Sequence, residues 1–467
     1  MKRLALVLAL VAGAPAAHAS AQATATLTFG RYLDRVMDRN LDLAATRTDV
    51  AAAEARVQVG ARLPEPSLSV GLLSFDVSHP TRTETRQDTD ANGDFVCGYH
   101  TGTGGSVVPC RSQLPTVVGA SIDVPIELGD QQGARMDVAR VGVSQADQDV
   151  EDAIRLLRGE AAGVWIDALG TQLRLERLQR TLASLEQLVH TNEARVEAGA
   201  IGDIELVQSR VEAQMFRAQV LRAEGEARAA RMGLASLLRI EDGAEPDFAP
   251  AGTLSIDPRT FDLDALVTHA METRPDLRRI QLDIDAARAS RSLAERQRWG
   301  TLDVSLSWLY STPGTDTQFG QSDYHALGLM FGIPLPFRLL WSGEIDEARS
   351  RESAADQRYQ QARQRLEVEI RQALARYEAS VAARQVFDLS VIEDAEHVLE
   401  ATRYQYEHGG ATLVAVLVAQ RTVNEVYAAY NEALATHAHA LVDLETAAGL
   451  WDVSFDSPPA AAPPPTP

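Results

Sequence analysis

From Gly133 to Arg239 the chain contains no proline, and none follows until Pro246, so nothing in that span forces a helix to stop. Within it Leu175, Leu178, Leu182, Leu185 and Val189 recur at alternating steps of three and four, the seam of helices packed side by side. Gly199 is the natural break, which makes the span two arms of a hairpin. One unbroken helix from Gly133 to Ala198 would be about 100 Å long at 1.5 Å per residue, longer than a compact domain can use. The pattern returns between Pro336 and Pro458. There Ile392, Ala395, Leu399, Thr402 and Tyr406 lead to Gly409, and Val423, Val426, Tyr430, Ala433, His437, Ala440 and Leu444 continue beyond it. Any fold for this chain must hold two such hairpins.

The hairpins belong to an internal duplication. Asn40-Leu41-Asp42-Leu43 aligns with Arg274-Pro275-Asp276-Leu277, Val124-Pro125-Ile126 with Ile333-Pro334-Leu335, and Val196-Glu197-Ala198-Gly199 with Tyr406-Glu407-His408-Gly409. Residues 22–240 are predicted as a first repeat, with strands near 66–78 and 116–128 and a helical hairpin over 133–239. A linker follows over 241–260. Residues 261–450 form the second repeat, with strands near 301–311 and 324–335 and a hairpin over 343–448. The Ala- and Pro-rich stretch 451–467 is predicted to be a disordered tail. The order helix, helix, strand, strand, long helix, long helix thus occurs twice.

Residues 1–21 have the pattern of a secretory signal peptide: Lys2 and Arg3, an apolar run from Leu4 to Val11, and small residues around Ala19. No cysteine stands at the expected new N-terminus, so no lipid anchor is expected. No apolar run elsewhere reaches the length of a membrane-spanning helix, which leaves β-strands as the chain's membrane option. In the second repeat Leu302, Val304, Leu306, Trp308 and Tyr310 alternate with Asp303, Ser305 and Ser307, and Leu327, Leu329 and Phe331 alternate with small residues. Apolar outside and polar inside over about ten residues is the pattern of a transmembrane barrel strand. Four strands cannot close a barrel, and open edges in lipid leave backbone groups unpaired. Several copies must therefore share one barrel. The net charge of −21 argues against a nucleic-acid partner, since no basic face exists to neutralise phosphates.

Signal peptide, duplicated halves, paired strands and long hairpins together resemble the TolC family of outer-membrane efflux proteins over roughly Leu27 to Leu450. The resemblance implies a mainly α protein with a transmembrane β-barrel, in which three protomers each give four strands to a twelve-stranded barrel and the helices form a periplasmic tunnel. Ser121-Ile122-Asp123-Val124-Pro125-Ile126-Glu127-Leu128-Gly129 before Gly133-Ala134-Arg135, with Gly332-Ile333-Pro334-Leu335-Pro336 before Gly343-Glu344-Ile345, is most similar to the cobalt–zinc–cadmium efflux branch. The implied role is a passive duct in the outer membrane of a Gram-negative bacterium. It would be a homotrimer docked on a periplasmic adaptor and an inner-membrane pump of the RND type, exporting divalent heavy-metal ions or small toxic compounds. The alternatives are a type I secretion duct for polypeptides and a structural periplasmic coiled coil without a pore.

The resemblance places adaptor docking at the hairpin tips, at Val196, Gly199, Ala200, Asp203, Tyr406, Gly409, Gly410 and Ala411. An acidic tunnel constriction in some relatives lies just after the second tip, where this chain has Thr412 to Val418 without a carboxylate. Asp203 and Glu205 after the first tip are the only acidic candidates. The lipid-facing residues would be Leu302, Val304, Leu306, Trp308, Leu327, Leu329 and Phe331. Cys97 and Cys110, the only cysteines, are expected to pair in an exported protein; two free thiols are the alternative. Asp88, Asp90, Asn92 and Asp94 have the oxygen spacing that opens a calcium loop, but the glutamate expected at its twelfth position is replaced by Tyr99, and a solvated polar loop is the simpler expectation. No catalytic constellation is present, and no cofactor is expected.

Overall fold

The computed structural model describes residues 25–74, 117–238, 248–311, 324–333, 342–387 and 389–456, with four short strands between 74 and 117. In chain order the elements are β1 (Ala25–Thr28), α1 (Phe29–Arg39), α2 (Leu41–Gly60), β2 (Ser67–Ser74), β3 (Arg82–Thr83), β4 (Gln87–Thr89), β5 (Phe95–Cys97), β6 (Arg111–Ser112), β7 (Val117–Glu127), α3 (Gln131–Glu197), α4 (Asp203–Ser236), β8 (Phe248–Ala251), α5 (Leu263–Thr273), α6 (Pro275–Gln297), β9 (Thr301–Ser311), β10 (Tyr324–Gly332), α7 (Gly343–Val386), α8 (Leu389–Glu407) and α9 (Leu413–Ala448). The chain is mainly helical. The proline-free heptad run of the first repeat is one helix, α3, of 67 residues. Its counterpart in the second repeat is divided into α7 and α8.

The chain forms two compact units, one of residues 1–45, 151–274 and 364–467, the other of residues 46–150 and 275–363. In the second unit the four long strands make one antiparallel sheet in the order β10-β9-β7-β2. Its register sets Leu68 beside Ile122, Ile122 beside Leu306 and Leu306 beside Leu329. Val70, Ala120, Trp308 and Leu327 form the next row, and Leu72, Val118, Tyr310 and His325 the one after. Toward the other end lie Val124, Val304 and Phe331, then Ile126 with Leu302. Because side chains alternate across a strand, these rows share one face. The opposite face is mostly small or polar: Ser67, Asp123 and Ser305 with Met330 in one row, Ser69, Ser121, Ser307 and Gly328 in another, and Gly71, Gly119 and Ala326 with Leu309 in a third. On that face Asp123 accepts hydrogen bonds from Ser121, at 3.2 Å, and from Ser305. The sheet is open, with β2 and β10 at its edges.

In the first unit, β1 pairs in parallel with β8 above an aromatic core. Trp165, Tyr32 and Phe455 are fully buried, with Tyr32 5.1 Å from Trp165 and Phe29 edge-on to Phe455 at 4.9 Å. Tyr32 donates to the Leu234 carbonyl at 3.1 Å, and burial pushes its phenol well above the ordinary value. Two sequence expectations are corrected here. The 241–260 stretch is not only a linker, since β8 lies within it and Phe248 and Leu254 are buried. The tail expected from residue 451 does not include residues 451–456. Phe455 fills the core, its carbonyl accepts from the Thr253 amide, and the Asp456 carboxylate accepts from the first amides of α1, Phe29 at 2.8 Å and Gly30 at 3.2 Å. A carboxylate at a helix N-terminus is stabilised by the unpaired amides and the helix dipole.

The disulfide and calcium-loop expectations fall outside the described residues: of Cys97, Cys110, Asp88, Asp90, Asn92 and Asp94, only the main chain of Asp88 in β4 and Cys97 in β5 is described. The signal peptide also lies outside them. Phe455→Ala is expected to destabilise the first unit by about 3–5 kcal/mol, the usual cost of deleting a buried phenyl ring. Denaturant unfolding followed by tryptophan fluorescence measures it, and an unchanged midpoint would remove residue 455 from the core.

Candidate functional site at the hairpin ends

Both hairpins turn in the same way. At the end of α3, Gly199 has φ +69°; its amide donates to the Val196 carbonyl at 2.9 Å, and the Ala200 amide donates to the Arg195 carbonyl at 2.8 Å. At the end of α8, Gly409 has φ +77°, with Gly409 bonded to Tyr406 at 3.2 Å and Gly410 to Gln405 at 2.7 Å. Each is a Schellman cap, which needs a left-handed residue after the helix; glycine enters that region without the penalty of a Cβ. The restarts differ. Thr412 caps α9, its hydroxyl accepting from the Ala415 amide at 3.3 Å. Gly202 precedes α4 without a side-chain cap, and Asp203 and Glu205 in the first turn supply negative charge to the helix N-terminus instead.

The heptad seam carries a core almost to the turns. Leu185, Leu188, Ala213, Phe216, Tyr406, Leu413 and Val416 are buried together, with Leu178, Leu182, Val189, Ala411 and Leu417 packed against them. The ends of the two hairpins are thereby held to one another. Polar links reinforce the joint: Thr181 donates to Asn424 at 2.8 Å, and Arg421 meets Glu212 at 2.8 Å.

At the centre of this joint lies Tyr406, only 2% exposed. Its hydroxyl is 2.9 Å from Asn192 Oδ1 and 3.1 Å from Glu205 Oε2, and the Arg195 guanidinium stands 4.7 Å from the ring centroid. A phenol has one proton, so it can donate to only one of two acceptors. Turning the Asn192 amide so that Nδ2 donates to the phenol leaves the hydroxyl proton for Glu205 and satisfies both contacts. Burial, then the Glu205 carboxylate, raise the Tyr406 pKa above its ordinary value.

The candidates therefore divide by position. Gly199, Ala200, Asp203, Gly409 and Gly410 are exposed at the ends, and Val196 and Ala411 are half-buried. Tyr406 faces the interior, so it organises the tip rather than its surface. Glu205 is half-buried and engaged with Tyr406, while Asp203 points to solvent. Asn192 and Arg195 were not apparent from the sequence. The signal available was a polar residue at a seam position, since Leu185, Val189, Asn192 and Val196 continue the three-four spacing. His437 is a core residue: it is fully buried, 3.2 Å from the Ser380 hydroxyl, and burial lowers its pKa. No group of three metal-ligating side chains occurs among the described residues.

Tyr406→Phe removes hydrogen bonding worth about 0.5–1.5 kcal/mol per bond but keeps the packing. The expected result is normal assembly with faster hydrogen exchange at the start of α4 and around Asn192. Unchanged exchange there would mean that the hydroxyl does not join the hairpins.

The family described as "Outer membrane efflux protein" matches residues 32–238 and 266–450. The Pseudomonas aeruginosa protein "Pyoverdine export outer membrane protein OpmQ" is 24% identical over 438 residues, covering 90% of this chain and 83% of its own length. Among solved structures, CusC, described in terms of folding and transmembrane channel formation, superposes with a TM-score of 0.64 at 16% identity, covering 91% of this chain and 92% of that one. The Campylobacter jejuni CmeC outer membrane channel superposes with a TM-score of 0.63 at 17% identity, covering 96% and 94%. Those likenesses show a shared fold, and the family match spans both repeats and both hairpins. The chain belongs to the outer membrane efflux protein family: it is an outer-membrane efflux channel of the TolC type, not an enzyme.

Proposed function

We propose that three copies of this chain close one barrel and form the outer-membrane duct of a tripartite efflux system. The observation that carries the reading is the open four-stranded sheet, apolar on one face and mostly small or polar on the other. The apolar face, including Leu302, Val304, Leu306, Trp308, Leu327, Leu329 and Phe331, meets lipid, and the serine-rich face meets water. Edges β2 and β10 pair with neighbouring copies, since unpaired amides in hydrocarbon cost several kcal/mol each. The helices also favour assembly. Ile204, Val207, Val211 and Met215 on α4, and Val398 and Tyr404 on α8, are more than half exposed in the single chain, and a second copy would cover them.

The hairpin ends are the docking surface for a periplasmic adaptor, which connects the duct to an inner-membrane pump of the RND type. Gly199, Ala200, Gly409 and Gly410 expose main chain at the turns, a surface that another helical hairpin can approach closely. Asp203 is the carboxylate proposed to line the opening; Glu205 is committed to Tyr406. The branch resemblance favours divalent heavy-metal ions as cargo, and the relative named for pyoverdine export adds an organic compound to be tested. Cells lacking the chain should retain cobalt, zinc or cadmium on challenge. Normal handling of all three with failure to export an organic compound would move the cargo to that class.

Leu306→Arg and Leu329→Arg are expected to impair assembly, because a charge near the bilayer midplane costs roughly 2–4 kcal/mol in such barrels. Ser305→Arg and Ser307→Arg should accumulate far better in outer-membrane fractions. Equal assembly of all four would reverse or abolish the assigned faces. At the tips, bulky or charged residues at Ala200, Gly410 or Ala411 should leave assembled channel in the membrane while abolishing efflux, and cysteines there should crosslink to an adaptor tip. Normal efflux by those variants would place docking elsewhere.

A further inference from the structure

We propose that a polar cleft between α3, α4 and α9 binds a small organic carboxylate. All three of its walls belong to the first unit. The seam of α3 reaches the cleft at Leu178, but the apolar side chains that join Leu178 in lining it are only Ala223 on α4 and Ala428 on α9. Two alanines cannot fill the space that larger side chains would take in a closely packed seam. The cleft has a volume of about 340 Å³, within the range of roughly 300–1,000 Å³ in which small-molecule sites fall. On α3 it lies fifteen residues before Asn192, roughly 22 Å along the helix from the joint at Tyr406. It is therefore separate from the turns.

The floor of the cleft has donors that the chain itself does not satisfy. The Arg177 guanidinium lies 3.6 Å from the centre of the Tyr427 ring, and its Nη1 is 3.4 Å from Glu396, which also accepts from the Tyr427 hydroxyl at 2.7 Å. These contacts fix the guanidinium plane, yet its Nε is buried without a partner. Asn424 Oδ1 accepts from Thr181 at 2.8 Å, and Asn424 Nδ2 is likewise buried and unpartnered. Unpaired buried donors are costly. Water does not reach these two, so what they favour is negative charge seated above them.

Arg222 supplies the recognition. Its Nε is 3.4 Å from the Ala218 carbonyl of its own helix, and its two terminal amino groups have no carboxylate partner among the described residues. Arg174, the other exposed arginine of the cleft, is engaged with Glu226 at 3.0 Å. A guanidinium with both terminal nitrogens free presents the fork that matches the two oxygens of a carboxylate. Phosphate fits the same fork, but Glu226 and Glu425 also line the cleft and oppose a second negative charge. The apolar surface of Leu178, Ala223 and Ala428 further suits a ligand with a small apolar body. Gln219 and Asn431, whose side chains make no hydrogen bond among the described residues, offer donors and acceptors to the rest of such a molecule. A ligand in this place touches α3 and α4 of the first hairpin and α9 of the second, so its binding would tie the two hairpins together.

Fluorine NMR of the full chain in detergent micelles tests the proposal. The probe is 4-fluorobenzoate, with 4-fluorobenzamide as its uncharged counterpart and inorganic phosphate as competitor. The benzoate resonance is expected to broaden saturably, and the benzamide resonance to show no saturable change. Arg222→Gln, which removes the fork, and Ala428→Leu, which fills the cleft, should each weaken benzoate binding by about tenfold or more. Both positions are exposed, and circular dichroism of the two variants should match that of the unaltered chain. Phosphate should compete only at concentrations far above that of benzoate. Equal benzoate binding by the unaltered chain and both variants would overturn the site. Benzamide binding as tight as benzoate binding would overturn the role of the fork, and equally strong competition by phosphate would overturn the carboxylate in favour of a general anion. No benzoate binding by the unaltered chain would also overturn the proposal. If Arg222→Gln then lowered the assembled fraction, the cleft would belong to an acidic side chain of a neighbouring copy; if assembly were unchanged, it would be a packing gap.

Discussion

The hydrogen-bond ladder of the four-stranded sheet is the constraint on which the rest of the molecule depends. Strands β7 and β9 are paired on both sides, whereas β2 and β10 each have one neighbour within the chain. In water an open edge is a hazard that charges or bulges can manage. In a bilayer, no solvent is present to satisfy the exposed amides. An outer-membrane channel with such a sheet must find its missing partners in other copies, which makes the edges the strongest physical ground for the proposed trimer. The period-two pattern then needs no further cause: the ladder fixes the register, and the register assigns each side chain to one face of the sheet or the other.

The duplication shows how one backbone solution is reached by two side-chain routes. Asn40 ends α1 and Arg274 ends α5 with nearly the same dihedrals, φ −63° and ψ 127° against φ −64° and ψ 122°. Pro275 presets the φ of the first residue of α6. Leu41 cannot do so, and there the Asn40 side chain accepts from the Leu43 amide at 2.9 Å to start α2. Each joint also ties down the carbonyl end of a long hairpin helix. Asn40 Nδ2 donates to the Leu237 carbonyl at 3.3 Å, and Arg274 donates to the Ala447 carbonyl at 2.8 Å. Both donors are buried and satisfy carbonyls that have no partner within their own helix.

What the sequence made legible follows the range of the interactions involved. Helix spacing and strand alternation are local, so the rods around Leu185 and Leu434, the paired strands around Leu306 and the glycine turns could be located from periodicity and proline placement. The core contacts of Phe455 and Phe248 could not. Each lies beside prolines and alanines whose composition suggests a tail or a linker, and each is buried by residues hundreds of positions away. The same limit hid the joint at the hairpin ends. The turns at Gly199 and Gly409 can be recognised one at a time, but nothing in either segment shows that Tyr406 packs between them or that Asn192 and Glu205 share its hydroxyl.

That joint changes what a partner at the tips can recognise. A turn at the end of a long rod ordinarily has little interior of its own. Instead Tyr406, Leu413 and Val416 are buried up to the second turn, so the ends of the two hairpins share one core. The large side chains are committed inward, and the rim is left to Gly199, Ala200, Gly409 and Gly410. Small residues make a weak chemical signature but allow close approach of another backbone, and a fixed geometry lowers the entropy lost on docking. On the proposed reading, recognition at the tips therefore depends on shape.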